Sequence, residues 1–511
     1  MRRISMISLS ALMFASAAPA FAETAPGATT AAPEPATTTD AVTTVVDDTA
    51  PVATQDAVPA EAAAPASPFT ISANATLVSD YRFRGFSQTG ENAAIQGTIN
   101  LNHESGFYIG TFGSSVGFAG HTEVDLYGGY TKTIGGITLD GGLLYYLYPK
   151  KGNADTDFFE PYINVSGTVG PVTAKVGANF AWGGQSALND YSAVYLHGDL
   201  TAAIPKTPFG LAAHIGYAKS DAFPGGIDGD VIDYSIGATA TYKSLTFGVT
   251  YVNTDETNST FGGLFTGGYK NAIGADGAVV FSLTAAMPAA GSDTSAPSSI
   301  KITGGATLVS DYRFRGFTQN NENAAIQGTI NLTHDSGFYV GTWASSVGFA
   351  GNTEVDLYGG YSKTINGITL DGGLLYYLYP KHGNADTDYF EPYVNVSGTL
   401  GPVTAKVGAN YAWGGQAALG DYSSIYFHGD LTAAIPKTPF SLTGHLGYAK
   451  SDSFLGGVTG DVFDYSVGAT ATWKALTFGV SYVNTDETNF LNAKELLGAD
   501  GAVIFSIGAS F

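Results

Sequence analysis

Val172-Thr173-Ala174-Lys175-Val176-Gly177-Ala178-Asn179-Phe180-Ala181-Trp182 is the stretch that decides the fold. In an extended chain successive side chains point to opposite sides. Val172, Ala174, Val176, Ala178, Phe180 and Trp182 then share one face, and Thr173, Lys175, Gly177 and Asn179 share the other. Period two with one apolar and one polar side is a strand that borders two different environments. Ile137 to Leu147 alternates in the same way, with Thr138, Asp140 and Gly142 on the polar side, and so does Ile232 to Thr241. Working outward, about twelve such segments of roughly ten residues follow one another between Phe69 and Leu283.

A soluble sandwich also alternates, so the connections carry the decision. One set is short: His103-Glu104-Ser105-Gly106, Gly135-Gly136, Gly170-Pro171, Pro205 to Pro208 and Lys243-Ser244. The interleaved set is long and polar: Ser87 to Asn92, Ser114 to Thr122, Pro149 to Phe158, Gly183 to Asp190, Ser220 to Gly229 and Asn253 to Gly274. Strict alternation of short turns and long loops predicts an outer-membrane barrel, with the short turns in the periplasm. Strands near ten residues suit a tilted crossing of the hydrocarbon layer. Backbone groups in lipid have no water to pair with, so the sheet has to close.

The whole block occurs twice. Thr76-Leu77-Val78-Ser79-Asp80-Tyr81-Arg82-Phe83-Arg84-Gly85-Phe86 returns, with every residue kept, 231 positions later as Thr307 to Phe317, and the offset holds until a seven-residue gap late in the second copy. The predicted fold class is therefore all-β: a transmembrane antiparallel up-and-down barrel, built as two tandem barrels of about twelve strands, with one barrel of about twenty-four strands as the alternative. The proline-bearing connector favours two separate units. The expected organisation is a signal peptide over residues 1–22, a disordered Ala/Pro/Thr-rich segment over 23–67, a first barrel over 68–285, a linker over 286–299 and a second barrel over 300–511. Arg2 and Arg3 ahead of an apolar stretch, with Ala20-Phe21-Ala22 as a cleavage site, carry the first assignment. Seven acids and no base among residues 23–67 carry the second.

Composition narrows the function classes. Glycine supplies 67 of 511 residues and aromatics 13 %, which suits many short strands and tight turns better than a soluble α/β enzyme. The chain has no cysteine, so no disulfide framework or thiolate metal site exists. A formal charge of −22 without a basic tract excludes nucleic acid as a partner.

At Ser79-Asp80-Tyr81-Arg82-Phe83-Arg84-Gly85 and again at Ser310 to Gly316 the chain resembles the TorF family of porins. The resemblance covers both copies and implies an outer-membrane barrel; family members typically carry one such block. The terminal Phe511, closing the alternation Val503, Phe505, Ile507, Ala509, resembles the signal by which bacterial barrels reach the assembly machinery.

Extending the alternation of the first strand places Ala75, Leu77, Ser79, Tyr81 and Phe83 towards lipid, and Thr76, Val78, Asp80, Arg82 and Arg84 towards the lumen. Tyr81 and Phe83 are then expected in an aromatic girdle at the outer interface with Phe180, Trp182 and Tyr217, and Tyr130, Tyr242 and Phe281 in the periplasmic one. The outer half of the pore is expected to carry Arg82, Arg84, Glu123, Asp125 and Asp233, and in the second copy Arg313, Arg315, Glu354, Asp356 and Asp464. The lower half carries Asp140, Lys175 and Asp199, with Asp371, Lys406 and Asp430 in the second copy. His197, His214, His428 and His445 lie between. Arginines facing carboxylates either make a transverse field that orders solutes or neutralise one another and brace a narrow barrel.

The expected function is a porin-type channel for small hydrophilic solutes or ions, with outer-membrane lipid and lipopolysaccharide as surroundings and weak cation preference. A non-conducting structural or adhesive barrel is the alternative, and a barrel-borne lipid hydrolase is the third reading. No cofactor and no metal site are expected: Gly152 to Asp157 with Glu160 lacks the glycine and distal glutamate of a calcium loop. No catalytic residue is expected either, because His214 and its neighbouring serines lack a nucleophile signature.

Overall fold

The computed structural model describes residues 67–149, 156–222, 225–226, 229–257, 270, 274–287, 299–380, 387–488 and 493–511. The expected signal peptide and acidic leader lie outside these residues, as does most of the Gly152 to Asp157 loop. The first block forms β1 (Phe69–Val78), β2 (Ala94–His103), β3 (Phe107–Ser115), β4 (Thr122–Ile134), β5 (Ile137–Leu147), β6 (Phe158–Val169), β7 (Val172–Ala181), β8 (Ala193–Ala203), β9 (Phe209–Lys219), β10 (Asp230–Tyr242), β11 (Leu245–Thr254) and β12 (Ala278–Ala286). The second forms β13 (Ile300–Val309), β14 (Ala325–His334), β15 (Phe338–Ser346), β16 (Thr353–Ile365), β17 (Ile368–Leu378), β18 (Tyr389–Leu400), β19 (Val403–Ala412), β20 (Ser424–Ala434), β21 (Phe440–Ser451), β22 (Asp461–Trp473), β23 (Leu476–Thr485) and β24 (Ala502–Ser510).

Each set pairs antiparallel with its sequence neighbours and closes on itself, giving two twelve-stranded barrels. In the first, β1 pairs with β2 from Phe69↔His103 to Val78↔Ala94 and closes against β12 from Asn74↔Ala286 to Val78↔Ser282. In the second, β13 closes against β24 from Gly305↔Ser510 to Val309↔Ser506. Strand twelve of the first copy thus returns to its own first strand, and a single twenty-four-stranded wall is excluded. Closure leaves no free edge, the condition that lipid imposes.

The alternation reads through into burial. On β7 the outward Val176 is 60 % exposed, as is Val407 on β19 at 59 %, while the inward Lys175 and Asn179 are half-buried. Phe180 and Trp182 are exposed near the long-loop end, and Tyr130 and Tyr242 near the short-turn end. Short turns are sharp: Gly135 and Gly136 both take positive φ, +60° and +84°, and a Cβ on either would meet nothing within 4 Å. Phe281 departs from expectation. Its strand starts at Ala278 at the long-loop end, and its carbonyl accepts from Ser79 N at 2.9 Å, so it sits towards that end rather than in the short-turn girdle.

Candidate functional site

The Ser-Asp-Tyr-Arg-Phe-Arg-Gly segment does not continue the wall. β1 ends at Val78, and the chain turns inward into a two-rung hairpin, Arg82↔Ser87 and Phe83↔Phe86. Arg84 (φ +46°) and Gly85 (φ +85°) form its tip. An alanine Cβ at Gly85 would stand 2.3 Å from Thr254 Cγ2 and 3.1 Å from Asp233 Cβ, so the tip lies tight against β10 and β11. Tyr81 and Phe83 are consequently 3 % and 0 % exposed, not members of a lipid-facing girdle. Tyr312 and Phe314 are buried in the same way. The physical reason is the charge: continuing the strand would place two arginines and an aspartate at the rim, whereas folding inward pairs all three.

Those pairs reach across the barrel. Arg84 Nη2 donates to both oxygens of Glu160 on β6, at 2.8 and 2.9 Å, and its guanidinium lies 4.1 Å over the Tyr195 ring of β8. Glu160 also accepts from Tyr146 Oη at 2.9 Å and Asn179 Nδ2 at 3.1 Å. Arg82 pairs with Asp80 through Nε and donates to the carbonyls of Gly274 and Asp276 at 2.5 and 2.9 Å. Asp80 further accepts from Ser87 Oγ at 2.6 Å. Glu123 accepts from Tyr81 Oη and Tyr148 Oη, both at 2.7 Å. Burial holds the Tyr148 hydroxyl well above the ordinary tyrosine range, so it stays a donor. Asp125 lies buried beside this group on β4.

The second copy repeats the constellation. Arg315 Nη2 donates to Glu391 at 2.7 and 2.9 Å and stacks 4.2 Å over Tyr426; Glu354 accepts from Tyr312 and Tyr379 at 2.9 Å each. Arg313 pairs with Asp311 at 2.5 Å, and Asp356 is buried on β16.

Below the hairpin lies a second polar layer. Asp199 accepts from Lys175 at 3.2 Å and contacts His197 at 3.0 Å and His214 at 2.7 Å; His214 continues to Asp233 at 3.0 Å. In the second barrel Asp430 takes Lys406 at 2.9 Å, His428 at 3.3 Å and His445 at 2.7 Å, and His445 reaches Asp464 at 3.0 Å. Asp140 accepts from Tyr108 at 2.5 Å and Asn164 at 3.0 Å, as Asp371 does from Tyr339 at 2.6 Å and Asn395 at 3.2 Å. In the first barrel the side chains of Lys175 and His214 keep 29 % and 26 % of their surface, in contrast to the packed hairpin layer, whereas in the second Lys406 and His445 keep 10 % and 5 %.

The structure thus brings Arg84 and Asp233 to one packed layer, and Lys175 and Asp199 to a more open one. Sequence reasoning missed Glu160 and Glu391 as the arginine partners. Their signal is a carboxylate at an inward position of a strand, within reach of the inward tyrosines Tyr146 and Tyr377 on the neighbouring strand.

No curated protein matches the chain. Among solved structures it resembles the NanC porin, at 10 % identity over 43 % of this chain and 100 % of that one with a TM-score of 0.30. It also resembles the KdgM porin, at 9 % identity over 41 % and 98 % with a TM-score of 0.29. A third is the siderophore receptor PirA from Pseudomonas aeruginosa, at 11 % identity over 88 % and 81 % with a TM-score of 0.31. Residues 62–287 match the family described as bacterial protein of unknown function (Gcw_chp), and residues 293–511 match it again; the chain belongs to that family, in two tandem copies.

Proposed function

We propose that each barrel is a narrow porin-type channel of the bacterial outer membrane, admitting small hydrophilic solutes and ions, with the inward hairpin setting its width. The observation that carries this reading is the contrast between the two faces of one closed wall. Outward positions such as Val176 and Ile236 are apolar and exposed, which suits lipid. Inward positions such as Lys175 and His214 are polar and in the first barrel partly open to solvent below the hairpin, which suits water. The TorF-like motif is the hairpin itself, so the segment that carries the resemblance is the one that narrows the lumen. The N-terminal signal and Phe511 fit export by the general secretory route and delivery to the barrel-assembly machinery, with lipopolysaccharide around the outer rim.

Liposome swelling with sugars of graded size, alongside single-channel recording, tests the proposal. Small sugars are expected to enter slowly and large ones not at all. The second reading, a non-conducting structural barrel, draws on the tight layer of Arg84, Glu123 and Glu160, all at most 5 % exposed. Folded protein that passes neither sugar nor ion in any state selects it.

A further inference from the structure

The outward faces are not alike around the ring. Most carry large exposed apolar side chains, as do Phe107 and Ile109 on β3 and Phe338 and Val340 on β15, but Ala75, Ile95 and Ile99 of β1 and β2 and Ala306, Ile326 and Ile330 of β13 and β14 are buried where the two barrels meet. Ile95 fits over Gly328: a Cβ there would stand 2.5 Å from Ile95 Cδ1 and 3.2 Å from Ala75 Cβ. The reciprocal contact holds, since a Cβ on Gly97 would stand 2.7 Å from Ala306 Cβ and 3.0 Å from Ile326 Cδ1. The polar contacts obey the same exchange. Ser115 Oγ meets Thr353 Oγ1 at 2.7 Å, and Thr122 Oγ1 meets Ser346 Oγ at 2.7 Å. Lys243 Nζ donates to the Ile300 carbonyl at 3.1 Å, and Lys474 Nζ to the Phe69 carbonyl at 2.6 Å. In every pair each residue's counterpart 231 positions away performs the partner's role. The contact is isologous, the pattern of a twofold dimer.

We propose that the two barrels are a tethered self-recognising pair: this face is a protein–protein interface made for a second copy of the same block, and the connector supplies proximity, not specificity. Two independent features support it. The hydroxyl pairs lie at the long-loop end, whereas the connector joins β12 to β13 at the short-turn end, so tethering alone does not bring them together. Between apolar walls in a bilayer burial gains little, and association relies on small residues that permit close approach and on hydrogen bonds across the seam. Gly97, Gly328, Ala75 and Ala306 provide the first and the Ser/Thr pairs the second. Ser115, Thr122, Ser346 and Thr353 are all fully buried; the serines also accept from Ile95 N and Ile326 N of their own barrels, whereas Thr122 and Thr353 take their partners from the opposite barrel. Long-loop ends meet long-loop ends, so both barrels cross one bilayer in the same direction.

The test uses the full chain with a protease site inserted within residues 288–298, cut after purification in mild detergent. The two fragments are expected to elute together, and to separate when Gly97→Leu and Gly328→Leu are both present, each fragment keeping the heat-modifiable gel mobility of a folded barrel. Unsubstituted fragments that separate while both stay folded overturn the proposal, and so do substituted fragments that remain together. Should the double leucine chain fail to fold, Ser115→Cys with Thr353→Cys decides, because the chain has no other cysteine. Oxidation in membranes is expected to link the cut fragments in non-reducing gels; absence of the link overturns the interface.

Discussion

Arg84→Met removes the charge that the hairpin tip brings to Glu160 while keeping a stem long enough to lie on Tyr195. In the native barrel Arg84 is 5 % and Glu160 1 % exposed, and the two oxygens of Glu160 take the guanidinium at 2.8 and 2.9 Å. Without it, Glu160 retains Tyr146 and Asn179 but becomes a buried carboxylate with no cation. Breaking a buried pair from one side costs about 3–5 kcal/mol. The least costly relief is for the hairpin to leave its seat and admit water. At about 1.4 kcal/mol per tenfold, the seated-to-unseated ratio falls by roughly two to three and a half powers of ten. Planar-bilayer recording of the single-copy variant reads this directly, with the intact Arg315–Glu391 barrel as internal reference. The small conductance of the wild type is expected to give way to a larger, long-lived conducting level from one barrel. Arg84→Met with Glu160→Leu removes both charges and is expected to restore the small conductance, a coupling that a double-mutant cycle measures. Traces of Arg84→Met indistinguishable from wild type, from protein that keeps its heat-modifiable mobility, refute the reasoning.

Gly85→Ala is expected to open the first barrel in the same recordings, since its Cβ would overlap Thr254 at 2.3 Å, an overpacking cost of about 1–3 kcal/mol. Gly135→Asn is expected to be neutral within about 0.5 kcal/mol, because Asn366 already holds φ +52° at the equivalent turn of the second copy; the heat-modifiability midpoint checks it. Gly136→Ala in the same assay is expected to cost about 1 kcal/mol through its positive φ alone. Reversal potentials in a salt gradient are expected to favour cations weakly, since the arginines are sequestered in the hairpin layer. Asp199→Asn, which leaves Lys175, His197 and His214 without their shared carboxylate, is expected to move the reversal potential towards anions; no movement in that direction counts against a conducting path past this layer.

The wall is legible in the sequence because lipid and water impose opposite demands on adjacent residues, and a period of two survives in segments such as Val172 to Ala181. The number of barrels rests on weaker ground there, since the closing edges of the two copies are nearly identical; the connector alone favours separate closure. The motif misleads for a physical reason. Tyr81 and Phe83 sit in phase with Ala75 and Leu77, and alternation contains no signal for where a strand stops. What stops it is a tip of Arg84 and Gly85 at positive φ and the partners Glu160 and Tyr195, which lie far along the chain. Glu160 follows the acidic loop so closely that its sequence neighbours group it with that loop rather than with the inward positions of β6. The small outward residues Ala75 and Gly97 look like ordinary wall positions until the opposite copy is in place.

The central claim is that lipid, or the facing barrel along the seam, touches every second residue of each wall strand, and water or the hairpin touches the others. Single cysteines placed in turn from Val172 to Phe180 in this cysteine-free chain, labelled with a fluorophore in liposomes and quenched by nitroxide-bearing lipid, test it most directly. The account predicts strong quenching at Val172, Ala174, Val176, Ala178 and Phe180 and weak quenching at Thr173, Lys175, Gly177 and Asn179. Quenching that is uniform along the segment, that repeats every three to four residues, or that is strong at Lys175 and weak at Val176 would contradict it.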